Sequence, residues 1–165
     1  MLPLHPRIVH LPIALAVLMP LVTSGLLLAW WRGWLPRRTW VVAVALQVAL
    51  VAGGFAALRT GEADEHQAET VVSEPFIEAH EDAGKAMFLG ALGVLALTGA
   101  ALALRGEAAA RGTAALAVVG TLGVLFLAWR AGEAGGRLVY VHGAASAYRP
   151  AVPPAPVPAN HHEDD

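Results

Sequence analysis

Residues 11–31 read LPIALAVLMPLVTSGLLLAWW, twenty-one positions without a charge. A helix needs about 20 apolar residues to cross the hydrocarbon core of a bilayer, so this stretch reads as a membrane span. Pro20 sits inside it. A lipid-embedded helix tolerates that, because neighbouring groups can re-satisfy the freed carbonyl, and a local kink is expected. The run is too long for a secretory leader, and no small-x-small site follows it before Trp30 and Trp31, so it reads as a retained helix.

Three more charge-free runs follow, at residues 40–58, 86–104 and 113–129. With 56% hydrophobic and 15% charged residues, the chain is too apolar for an ordinary water-soluble domain. The expected fold is all-α, a four-transmembrane-helix bundle running up-down-up-down. Helices are expected at about 8–31, 39–67, 77–104 and 113–134, within one domain spanning 1–148. Residues 149–165, RPAVPPAPVPANHHEDD, form a proline-rich tail expected to be disordered, with His161 and His162 solvated.

Charge density sets the expected orientation. The loop after the first run carries Arg32, Arg37 and Arg38, and the loop near 105–112 carries Arg105 and Arg111, against the single acid Glu107. The other side spreads six cations among twelve acids. Positive-inside then places both short loops in the cytoplasm, with the termini and the 59–85 loop on the outer face of the inner membrane. Trp30, Trp31, Trp34 and Trp40 fall at the cytoplasmic interface and Trp129 at the opposite one, as amphipathic rings prefer. Gly90, Gly93, Gly99, Gly120, Gly123, Gly132 and Gly136 read as close-packing positions between helices. Pro75 is expected to break the chain before a helix starting near Glu78. Gly135-Gly136 is expected to bend it, folding residues 138–141 back over the bundle end.

Several functions are disfavoured. The chain has no cysteine, which removes thiolate metal sites, iron–sulfur ligation and thiol nucleophiles. A net charge of -2 gives no reason to expect nucleic acid. His80-Glu81 lacks the second histidine of H-E-x-x-H, and no G-x-S-x-G or P-loop is present in a suitable context. No nucleophile–base pair points to an enzyme.

What remains is histidine. His5, His10, His66, His80 and His142 all belong to the same expected side of the membrane, at least one per helix end. Imidazole is the commonest neutral metal ligand, and ionisable groups near a membrane tend to be functional. Each taken singly is better explained by ordinary hydrogen bonding. As a set they suggest haem b held between helices, with axial ligands among His10, His80 and His142, and Arg59 and Arg130 beside the propionates. Copper or zinc on His5, His10, His66, His80 and His142 is the alternative, and a cofactor-free structural subunit is another. His10, at the membrane edge, is the favoured ligand of the opening pair. His5 falls about 140° away on a helix and reads as a capping group in the lead-in chain.

Three short stretches resemble a known bacterial family. HPRIVHLPIALAVL is similar to its opening His-Pro-x-x-Val-His-Phe-Pro-Ile, with Leu11 where phenylalanine is usual. EAHEDAGKA resembles its third-helix entry, and GGRLVYVHG its closing Leu-Val-Tyr-x-His-Gly. The family is that of the small membrane proteins catalogued as domain of unknown function 2231. The resemblance covers residues 5–145 and carries over His5, His10, His80 and His142, but not His66. It implies no assigned activity. Relatives joined to cytochrome c or Rieske-type modules imply electron transfer, with such a protein as redox partner.

Overall fold

A computed structural model describes residues 4–148. The tail expected at 149–165, including His161 and His162, lies outside the described residues. In lipid no water is available to satisfy backbone N–H and C=O groups, so apolar runs must close their hydrogen bonds internally. The four runs do so. A short turn, α1 (His5–Ile8), leads through Val9 into α2 (His10–Trp31). A 3-10 turn at Arg37–Trp40 opens α3 (Val41–Ala68), followed by α4 (Glu74–Ala103) and α5 (Glu107–Tyr140). A second 3-10 turn, Ala144–Tyr148, ends the described chain. No strand is present among the described residues. The four long helical segments are each long and apolar enough to cross a membrane. Both α2 and α4 pack between α3 and α5, which gives the up-down-up-down bundle.

The packing repeats along the chain. Pro12, Ala16, Met19 and Thr23 are buried in α2, and 75 positions later Met87, Ala91, Val94 and Thr98 are buried in α4. Ala43, Gln47, Leu50 and Gly54 of α3 are matched 74 positions later by Ala117, Thr121, Val124 and Ala128 of α5. The bundle is therefore two matching hairpins, α1–α3 and α4–α5. Its buried polar groups follow the same rule. Thr23 and Thr121 return their hydroxyls to Met19 O (2.7 Å) and Val118 O (2.6 Å), and Thr98 to Leu95 O at 3.0 Å. Gln47 Nε2 crosses to Ala91 O at 2.9 Å. The threonine bonds stay within their own helices, whereas the Gln47 bond and close packing, rather than water exclusion, hold helices together in lipid.

At one end, Arg37 closes α4. Its guanidinium donates to Ala101 O and Leu102 O, both at 2.8 Å, and to Leu104 O. These carbonyls have no partner within the helix, and a cation suits the negative end of the helix dipole. Arg37 and Arg111 lie 5.8 and 5.7 Å from the Trp30 ring. Trp40 is buried, and its Nε1 donates to Thr98 O at 3.1 Å. The expected tryptophan belt thus divides. Trp31 and Trp34 are exposed as a belt requires, whereas Trp30 and Trp40 are core.

Two helix limits differ from expectation, and both matter for the site. α4 starts at Glu74, with Pro75 in its first turn, where a missing N–H costs no helical bond. α5 runs from Glu107 to Tyr140 rather than over 113–134, straight through Gly135-Gly136. That glycine pair does not turn residues 138–141 back. The missing Cβ of Gly135 serves an imidazole instead.

Candidate functional site: a pair of imidazoles

The histidine end is built from helix that extends beyond the apolar runs. On α3, Ala57, Gly61 and Asp64 are spaced four and three residues apart, so they share one face. His5 docks on that face at three points. Its backbone N–H donates to Asp64 Oδ2 at 3.2 Å, capping α1. Its Nδ1 lies 2.8 Å from Ala57 O, and its ring covers Gly61, where a Cβ would meet Cε1 and Nδ1 at 3.3 Å.

The second hairpin repeats the arrangement. His80, in the first turns of α4 ahead of the apolar run, sets its Nδ1 3.1 Å from Ala131 O of α5. Its ring lies over Gly135, where a Cβ would stand 2.9 Å from Cε1. His5 and His80 differ by 75 positions, and Ala57/Ala131 and Gly61/Gly135 by 74, the same shifts as the core. The two imidazoles are thus equivalent groups of the two hairpins. They meet edge to face, with ring centroids 5.9 Å apart and planes at 82°.

A carbonyl oxygen only accepts, so both Nδ1 atoms carry the proton. That fixes the tautomer: Nε2 of each ring holds a free lone pair. Burial pushes the His80 pKa below its usual value and neighbouring His5 adds to this, against the opposing effect of the Ala131 hydrogen bond. His80 therefore favours neutral imidazole, the form that ligates. A ring held through Nδ1–H to a carbonyl with Nε2 open is how protein histidines are commonly oriented for a metal.

The segment after α5 is tied to α3 and α4. His142, after α5, stacks on Phe76 with centroids 3.8 Å apart and planes at 20°. Gln67 Nε2 donates to Ala147 O at 3.1 Å, and Tyr148 OH to Asp64 O at 3.2 Å. Burial, and then Asp64, raises the Tyr148 pKa.

The other expected residues stand apart. His10 is exposed, as the first residue of α2. The His66 side chain is 99% exposed and lies 3.4 Å from Glu69. Arg59 pairs with Glu62 at 2.9 Å. Arg130 faces a surface cleft on α4 and α5. Leu58 lies against Gly84, where an added Cβ would meet its Cδ2 at 3.4 Å. Among the described residues no group of three or more His, Asp or Glu side chains is placed to hold a metal ion. The centre consists of two imidazoles, and His5, read as a lead-in cap, is one of them. Sequence reading missed Asp64, Ala57, Gly61, Ala131 and the role of Gly135. The usable signal was Ala-x-x-x-Gly, which occurs at both docking faces.

A family model described as "Predicted membrane protein (DUF2231)" matches residues 1–147. No curated protein and no solved structure matches the chain.

Proposed function

The chain belongs to the DUF2231 family of predicted membrane proteins, and on that footing we propose that it is a membrane-embedded electron-transfer module holding a redox group on His5 and His80. One observation carries the reading: two equivalent imidazoles, both locked through Nδ1–H, both with Nε2 open, meet between the hairpins. The donor set suits haem b best. Haem iron arrives with four nitrogens of its own and asks the protein for two axial ligands. Zinc and copper sites draw three or four ligands from the protein, and only two are gathered here. When bound, haem supplies a one-electron couple. His5 and His80 would hold the iron, with Ala57 and Ala131 fixing the ring orientation. Arg59 and Arg130 are not placed against the pair, so they are not assigned to propionates.

The arginine-rich loops support an orientation with Arg37 and Arg111 cytoplasmic and the imidazole pair on the outer side of the inner membrane. A soluble cytochrome c or Rieske-type protein would then meet the site from that side. The test is an absorption spectrum of protein purified from haem-replete cells. A Soret band that responds to dithionite is expected, lost in His5→Ala and in His80→Ala and kept in His10→Ala and His142→Ala. No Soret band, or one indifferent to both His5 and His80, overturns the haem reading. Elemental analysis of the same sample then separates copper or zinc from a cofactor-free pair.

A further inference from the structure

The two hairpins match in their core but part company on one outer face. Leu4, Ile8 and Leu11 of the first hairpin correspond, 75 positions later, to Ala79, Ala83 and Ala86 of the second. The alanines leave a cleft of about 350 Å³, walled by Leu127 and bordered by Asp82 and Arg130. Trp129, 62% exposed, precedes Arg130 and places this border at headgroup depth.

The charges at the border are not spent on each other. Arg59 and Arg130 each precede a glutamate by three residues. Arg59 pairs with its Glu62, whereas Arg130 makes no ion pair with Glu133 and lines the cleft. Glu81 is engaged by Lys85 at 2.7 Å, which leaves Asp82 without an ion-pair partner among the described residues. An anion and a cation thus flank the mouth of one apolar trough, unpaired.

We infer that this cleft binds a zwitterionic phospholipid of the outer leaflet. Arg130 takes the phosphate, Asp82 takes the ammonium, and one acyl chain lies along Ala79, Ala83, Ala86 and Leu127. Charge complementarity selects this occupant: an anionic headgroup without an ammonium would leave Asp82 opposed to the lipid's charge. The inference does not depend on any group at His5 and His80.

Native mass spectrometry of the full chain in detergent, with dioleoyl-phosphatidylethanolamine or dioleoyl-phosphatidylglycerol added, tests it. The phosphatidylethanolamine adduct is expected to survive collisional activation better than the phosphatidylglycerol adduct. Ala83→Leu fills the trough and lowers retention of phosphatidylethanolamine about tenfold, equivalent to ~1.4 kcal/mol. Asp82→Asn removes the preference between the two lipids, and Arg130→Gln weakens both. Equal retention of the two lipids by the unaltered protein, as for lipid that merely coats the bundle, overturns the inference. So does a preference that Asp82→Asn leaves intact. Asp82 and Arg130 are exposed, so these two variants decide the matter even if Ala83→Leu does not fold.

Discussion

The two ends of the bundle are held by different side chains, and the difference is one of hydrogen-bond inventory. At the arginine end, Arg37 gathers the last carbonyls of α4 and stacks with Arg111 around Trp30. Guanidinium has donors and no acceptor, so its contacts with carbonyls lock the end. At the histidine end, His5 and His80 also donate to helix carbonyls. Imidazole keeps a second nitrogen, however. Once Nδ1–H is committed, Nε2 remains open. The same device, a side chain docked on a neighbouring helix's backbone, makes a lock at one end and leaves a pair of open imidazole nitrogens at the other.

Removing the lock should give the largest effect. Arg37→Ala strips three carbonyls of a charged partner, and bonds to charged groups contribute about 1.5–3 kcal/mol. Thermal unfolding in detergent should show a loss of about 3 kcal/mol, and Arg37→Lys should recover only part of it, since an ammonium lacks the planar guanidinium that lies over Trp30. Equal stability of Arg37→Ala and the unaltered protein would break the comparison.

Gly135→Ala should come next. Its Cβ would stand 2.9 Å from the His80 ring, so the ring or α5 must shift, at roughly 1–2 kcal/mol. Gly61→Ala, at 3.3 Å from the His5 ring, should cost less. Reversal of that order in matched melts would contradict the docking described for the two rings.

The ends should also separate by pH. The His80 pKa is depressed in the fold below the usual 6.5. The unfolded chain therefore binds the proton first, and stability, full above pH 6.5, falls as the pH drops from there through the folded value. Melting temperature measured across that window should fall on acidification, and His80→Gln should flatten the fall. Arg37→Ala should shift the curve without changing its slope, since guanidinium stays charged throughout. A His80→Gln variant with an unchanged slope would sink this account.

The smallest effect is expected at His66, whose side chain is almost wholly exposed. His66→Ala should alter melting by less than about 0.5 kcal/mol, as surface substitutions do. A larger loss would mean that the histidine end extends beyond the pair.

Much of the fold was legible in advance, because lipid imposes a simple rule: a charge-free run of about 20 residues must be a helix. Helix number, all-α class and alternating direction followed. The site was half legible. The histidines were expected at one end of the bundle, with His10 preferred to His5, whereas the ring that meets His80 is that of His5. That preference took depth in the membrane as the guide. What seats His5 is a contact with residues more than fifty positions away: Ala57, Gly61 and Asp64 on α3. The glycine pair of α5 was taken for a bend because sequence shows a missing Cβ and not what fills its place. The duplication was hidden for a related reason. In lipid, alanine, valine, methionine and proline can occupy matching buried positions, so identity is kept at only some of them, such as Ala16/Ala91 and Thr23/Thr98, and burial matches at the others too.

By itself, the sequence determined that this chain is four membrane helices with imidazoles at one end and arginines at the other. Hydropathy and charge act locally, and a single chain displays them. Only the tertiary structure decided that His5 and His80 are equivalent, meet edge to face, and are left with open Nε2 atoms. Those facts rest on which backbone carbonyl each ring reaches across a helix interface, and no local property of the chain specifies that.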